Sequence, residues 1–264
     1  MSGNLTPREM LLLTVLAEMY GAPLDLVALM LGVTESRAYR IVRKLRSLKV
    51  VSELGMRPVP GPSWITPTKA TADALLGRPT KYWMPSPKMA AHTRTVLEVR
   101  LALVGLDLDR WISERQLRGE IPIAKPGETR PHIHDGRYIN NHGELIAVEV
   151  ELTAKNLKAA KTAVAQAVQA ARASDCAGLI YYYRGPAVKS VLTKAVAELN
   201  AAGHFENAGL RMRSADVDAE LLKRPTKPAA SDLRPGLRVI AGGAADHAIP
   251  QVTDPNEDGE AVSS

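Results

Sequence analysis

Residues 34–49 (TESRAYRIVRKLRSLK) admit few conformations. Ala38, Ile41, Val42, Leu45 and Leu48 recur at three- and four-residue spacing, which forms one apolar stripe only if the segment is helical. Thr34 suits the N-cap, because its hydroxyl can accept from a first-turn amide that is otherwise unpaired. Arg37, Arg40, Arg43, Lys44, Arg46 and Lys49 fill the remaining faces. A chain carrying this segment must supply a core for the stripe and leave a basic surface outside it. Such a surface suits a DNA groove. The plain alternative is a solvated surface helix, and the flanking sequence weighs against that.

Upstream lies a matched helix pair. Thr6-Pro7-Arg8-Glu9 reads as a capping box with Pro at the first helical position. Leu12, Val15, Leu16 and Met19 continue as an apolar stripe, and Gly21 ends the helix. Residues 23–31 predict a second short helix, with Gly32-Val33 as the turn before Thr34. Helix, short turn, basic helix is a helix-turn-helix pattern, whose second helix enters the major groove. Glu35, Ser36, Arg37, Tyr39 and Arg40, near the N-terminus of that helix, are expected at base edges. Arg43, Lys44 and Arg46 are expected at phosphate or water. Downstream, residues 50–54 are strand-like, residues 55–62 have turn-level Gly and Pro with Arg57 near the tip, and residues 63–65 can return as a strand. Thr66-Pro67 is expected to cap a further helix. Across residues 5–77 the order of elements resembles winged helix-turn-helix domains, which implies double-stranded DNA as partner and permits a homodimer on a two-fold site. A winged helix used for protein contact stays open.

Charge agrees with that reading without proving it. Residues 1–85 carry 11 Lys and Arg against 6 Asp and Glu, so they supply most of the net +6. Positive charge favours phosphate partners but does not by itself separate DNA from RNA or an anionic membrane. The one cysteine, Cys176, excludes a disulfide framework and any paired-cysteine zinc site, and fits a reducing, cytoplasmic setting. Its position after a predicted helix end, with no evident His partner, argues against a nucleophile. No run approaches the ~20 apolar residues of a membrane span, and no signal pattern opens the chain. The predicted organisation is residues 1–78, a Pro-containing linker at 79–88, a second unit at 89–213, and a mostly disordered acidic tail at 214–264 with one short strand near 237–240.

The second unit predicts helix, strand, strand, strand, helix, strand, helix. Its clearest strand is residues 146–152 (IAVEVEL), where alternation puts Glu149 and Glu151 on one face. Asp135 sits beside the preceding strand, and Glu114 ends a short strand candidate at 111–114. Lys155 opens an Ala-rich helix. Residues 178–183 (GLIYYY) predict a buried strand whose tyrosines pack at alternate positions.

This arrangement resembles the PD-(D/E)XK nuclease superfamily, giving an α+β fold class: an N-terminal winged helix-turn-helix and a C-terminal mixed α/β restriction-endonuclease-like domain. The resemblance implies that Asp135, Glu149 and Glu151 act with Lys155 in catalysis, and that Asp135, Glu149 and Glu114 hold Mg²⁺, a hard cation that prefers oxygen. The metal would polarise a phosphate and activate water, and the Lys would stabilise developing charge. Two positions depart from the pattern: His134 stands where Pro often precedes the Asp, and Glu151 replaces the expected Lys, leaving Lys155 as a migrated substitute. The plain alternatives are that Glu149 and Glu151 form the solvent face of a half-exposed strand, and that His132 and His134 are turn or surface polarity rather than metal ligands.

Taken together, the winged helix, His92, the Trp111–Arg115 segment, Asp135-Gly136 and the Glu-x-Glu-x-x-x-Lys segment resemble the replication-relaxation family of plasmids, phages and other mobile elements, over roughly residues 5–200. That resemblance implies a role in replication, maintenance or transcriptional regulation. It does not fix a reaction, since a shared fold does not transmit catalysis. Two expectations follow: a sequence-specific DNA-binding protein, or a Mg²⁺-dependent endonuclease or nickase targeted by its winged helix.

Overall fold

Thr6 begins the fold as the sequence predicts. Its hydroxyl accepts from the Glu9 amide at 3.3 Å, and the Glu9 carboxylate accepts from the Thr6 amide at 2.8 Å, starting α1 (Pro7–Glu18). The computed structural model describes residues 4–81, 83–121, 131–205 and 210–222. The short strand expected at 237–240 and the acidic residues after 222 lie outside the described residues.

Strand β1 (Ala22–Pro23) leads into α2 (Leu24–Leu31), which Gly32 closes in the left-handed conformation at φ 56°. Thr34 then caps α3 (Glu35–Ser47). The stripe of α3 turns inward as its spacing requires: Ala38, Val42 and Leu45 are fully buried in a core shared with Leu12, Leu16, Val27 and Leu31.

The segment after α3 is less regular than expected. Val51 makes only an isolated bridge to Pro67, and Met56 another to Trp64. Pro58, Pro60 and Pro62 cannot donate to a ladder, so a continuous hairpin is unavailable to this stretch. The return strand β2 (Trp64–Ile65) pairs antiparallel with β1. The cap of α4 (Lys69–Leu76) is Thr68, not Thr66, because residues 66 and 67 are still paired back to residues 51 and 52.

The expected linker is tied down at both ends. The Thr80 amide and hydroxyl both donate to Asp73 at 2.7 Å. Trp83 lies between Tyr20 and Trp64, with ring centroids 5.5 and 5.7 Å away. Ser86 caps α5 (Pro87–Leu103), so the helix already begins within the stretch expected to be a spacer.

A five-stranded mixed sheet follows, in the order β3 (Trp111–Ser113), β4 (Gly136–Ile139), β5 (Leu145–Glu151), β6 (Gly178–Tyr183), β7 (Arg211–Asp216). The first two pairings are antiparallel and the last two parallel. Each parallel pair needs a crossover, supplied by α7 (Leu157–Arg172) and α8 (Pro186–Ala201). A short helix, α6 (Glu114–Glu120), follows β3, and α9 (Val217–Leu222) follows β7. The second unit therefore extends past residue 213: the expected boundary cuts through β7, whose exposed, polar composition hides an edge strand from an apolar-pattern reading.

Alternation along β5 sorts the layers. Ile146, Val148 and Val150 join Val96, Leu97 and Val99 of α5, in the same continuous core that holds the stripe of α3. Ala147 joins α7, α8, Leu179, Tyr181 and Tyr183 on the opposite face. At the β3–β4 pairing Gly136 is obligatory: a Cβ there would stand 2.3 Å from the Trp111 indole.

A buried ion pair crosses between α1 and α5. Arg100, fully buried, donates to Glu18 at 2.6 Å and stacks against Trp111. Arg115 donates to the Ala17 carbonyl at 2.8 Å, and Arg94 grips Asp25 through both guanidinium nitrogens. These contacts join the N-terminal helical module to the helices flanking the sheet.

Candidate functional site

Two chemically distinct regions stand out. The first is the outward side of α3, where Glu35, Ser36, Arg37, Tyr39, Arg40 and Arg43 are exposed. Tyr39 is 53% exposed, a large value for an aromatic ring. Among the described residues Arg37, Arg40 and Arg43 have no ion-pair partner. Arg57 is exposed on the neighbouring loop, where its Nε donates to Ser63 at 3.2 Å.

Two residues expected at phosphate or water are tied to protein acceptors, although both stay partly exposed. The Lys44 ammonium donates to both Glu9 oxygens, at 2.8 and 3.0 Å, and to the Asn4 carbonyl. Arg46 donates to the Ser52 carbonyl at 3.3 Å. Both lie toward the C-terminal end of α3, where its neighbours come within reach of a long side chain. Burial pushes the Glu9 carboxyl up, but the Lys44 and Thr6 hydrogen bonds prevail and hold it below the ordinary range.

The second region lies where β4 and β5 meet α5. His92 of α5 bonds Asp135 at 2.8 Å, and the other Asp135 oxygen accepts from the Val150 amide at 2.7 Å. His132 bonds Glu149 at 2.8 Å. His134 is fully buried and meets the Ala167 carbonyl of α7 through Nε2 at 3.0 Å. A shallow cleft walled by Tyr20, His92, Glu114 and Asp135 opens to solvent beside this cluster.

The expected residues are thus only partly convergent. Asp135 and Glu149 come together, and Glu114 faces the same cleft as Asp135. Glu151 instead forms an ion pair with Lys155, alongside Tyr181 and α7. Lys155 precedes α7, whose cap is Asn156, so it is a loop residue rather than the first of the helix. Glu114 is also paired, with Arg118 at 2.6 Å.

The solvent-face alternative for the two glutamates does not hold. Their side chains are 12% and 15% exposed, because the crossover helix α7 covers that face. Nor are His132 and His134 surface polarity. His92 carried no signal in the residue pattern itself: it is 43 positions from Asp135, and only tertiary folding makes the pair.

Electrostatics follow from the pairing. Burial works against charge on His92, but the hydrogen bond and charge of Asp135, with the charges of Glu114 and Glu149, raise its pKa. His132 is raised for the same reason by Glu149 and Asp135. Burial drives the Glu149 carboxyl well above the usual range; His132 opposes this and the charge of Asp135 adds to it. His134 is pushed down to about 4 by burial, despite the Ala167 carbonyl, and is neutral at physiological pH. Cys176 is buried, and that burial raises its thiol.

The donor set fits Mg²⁺ poorly. That ion favours oxygen ligands and keeps several waters, whereas each of the two central carboxylates here already holds an imidazole.

No model of a known protein family matches the chain, and no curated protein sequence matches it. Among the described residues no helix is long and apolar enough to cross a membrane.

Proposed function

We propose that this chain is a sequence-specific double-stranded-DNA-binding protein that reads the major groove with α3, the module 5–77 acting as a winged helix-turn-helix. One observation carries the reading: α3 buries Ala38, Val42 and Leu45 and leaves Arg37, Tyr39, Arg40 and Arg43 on its outer side without protein partners among the described residues. Exposed, unpaired cations on a rigid helix are what phosphate and base edges require. A role in replication or transcriptional regulation of a mobile element is part of the same proposal, and its support is the resemblance of the sequence motifs to the replication-relaxation family. A homodimer on a two-fold site accords with the helix-turn-helix mode.

Selection of bound sequences from a random duplex library, followed by anisotropy titration of the winner, tests the proposal. Affinity should fall steeply with salt, as displaced counterions demand. Arg37→Ala and Arg40→Ala should each weaken the selected site by roughly ten- to a hundredfold, the loss expected of a bidentate base contact. Equal affinity for every duplex, or none, would refute it.

A second reading is favoured by the convergence of Asp135 and Glu149 beside His92 and His132: metal-dependent phosphodiester hydrolysis in a restriction-endonuclease-like domain. Its test is nicking of supercoiled plasmid with Mg²⁺ or Mn²⁺. Loss of nicking in Asp135→Asn, with DNA binding kept in EDTA, supports hydrolysis. Nicking unchanged in that variant rejects this centre as its source.

A further inference from the structure

We propose that His132, His134 and Glu149 form a binding site for one divalent first-row transition-metal ion, of the Zn²⁺ or Mn²⁺ type rather than Mg²⁺. One ligand atom from each of the three lies within 4.8 Å of the others, close enough for one ion to span. Two imidazoles and a carboxylate are a ligand combination that suits these ions, leaving further positions for water or substrate.

The surroundings of His134 are those of a held ligand. Its Nε2 is committed to the Ala167 carbonyl. A histidine that donates one ring N–H to a backbone carbonyl presents the other nitrogen as a lone pair in a fixed direction, the usual arrangement behind a metal. Nδ1 is that nitrogen, and the nearest donor to it, Arg137 Nε, is at 3.4 Å, a long contact that an ion can replace. The His132 ring stands edge-on to the His134 ring with centroids 5.4 Å apart. Its Nε2 already points at Glu149 Oε1. An ion entering between them forms bonds to both atoms and releases the hydrogen-bond proton to solvent.

Asp135 stays outside the ligand set, since both of its oxygens are held, one by His92 and one by the Val150 amide. Its charge remains next to the ion. The side chains of His132 and Glu149 are 22% and 12% exposed, so the position can be reached from solvent. The site stands whether or not α3 binds DNA and whether or not the chain cuts it.

Isothermal titration of the full chain, stripped of metal, with ZnCl₂, MnCl₂ and MgCl₂ tests the proposal. One Zn²⁺ or Mn²⁺ per chain is expected, with Mg²⁺ at least about tenfold weaker. Glu149→Gln and His132→Ala should each lower Zn²⁺ affinity by at least about tenfold, no less than is typical for losing an outer partner of a metal ligand. His142→Ala removes an exposed histidine and should change nothing. Circular dichroism identifies any variant that fails to fold, and Co²⁺ added to the wild type supplies a readout that needs no variant. Visible absorption stronger than that of aqueous Co²⁺ supports the site. Absence of Zn²⁺ and Mn²⁺ uptake, Mg²⁺ binding of equal strength, uptake unaffected by both ligand variants, or loss of uptake in His142→Ala would each overturn it.

Discussion

The outer side of α3 and the cluster at β4–β5 handle charge in opposite ways. On α3 the cations are left exposed and unpaired among the described residues, and their arrangement is set by a helix that would present them on any compatible core. At the cluster each carboxylate is paired with an imidazole from elsewhere in the chain, and the arrangement exists only once α5, β5 and the 131–135 segment have met. Exposed charge is local and depends on periodicity. Buried charge is tertiary and depends on partners, because an unpaired ion in the interior is far more costly than one in water.

The largest test of that contrast is at the joint between the regions. Arg100→Ala leaves Glu18 buried without its partner and should cost about 3–5 kcal/mol in urea unfolding. Replacing both residues by apolar ones, Glu18→Leu with Arg100→Met, should recover much of the loss. A loss below about 1 kcal/mol in the single variant would mean that the α1–α5 junction opens to water.

Arg37→Ala belongs to the other extreme. It should remove up to about 1–3 kcal/mol of DNA-binding energy, while unfolding stability stays within about 0.5 kcal/mol. If stability fell as well, α3 would not be the passive platform described.

Gly136→Ala drives a methyl into the Trp111 indole and should destabilise by about 1–3 kcal/mol. Because Asp135 is its neighbour, the cluster should be disturbed before the basic face is. Equal damage to DNA binding and to metal uptake, measured on the same preparation, would show that the two regions do not respond separately.

The smallest effect is expected at Glu9. Its folded-state pKa lies below the unfolded value, so its contribution is present above the unfolded pKa and lost as pH falls through the folded one. Glu9→Gln should therefore flatten the acid limb of a stability-versus-pH curve and leave the neutral region less stable. An unchanged acid limb would remove Lys44 from the ties that hold α3.

Legibility in the sequence follows the same division. The helices from α1 to α3, the N-caps of α1 and α3, β5, β6 and both crossovers are visible in the sequence, because each depends on spacing within one segment; α1 ends at Met19, before the Gly21 expected to close it. The wing-like loop reads as more strand than it forms, since its apolar residues suggest pairing that its prolines forbid. β7 was missed because an edge strand of alternating Arg, Met, Arg and Ser has no apolar signature. At the cluster the carboxylates could be named from β5 and the Asp-Gly pair. His92 and His132 can be named as well, but not their pairing, because nothing in residues 92 and 132 marks partners 43 and 17 positions away. The ties of Lys44 to Glu9 and of Arg46 to Ser52 are hidden in the sequence for the same reason.

The ion pair between Glu18 and Arg100 also has a consequence in time. The two residues are separated by 82 positions. At translation rates of about 5–20 residues per second, Glu18 leaves the peptidyl-transferase centre roughly 4–16 s before its partner is made. During that interval the end of α1 must keep its carboxylate in water, so a nascent chain that has just completed the N-terminal helical module holds that surface open. A ribosome stalled so that residues up to 77 have cleared the exit tunnel while α5 is still inside it should display a module whose α1 C-terminus is accessible to a protease, and emergence of α5 should close it.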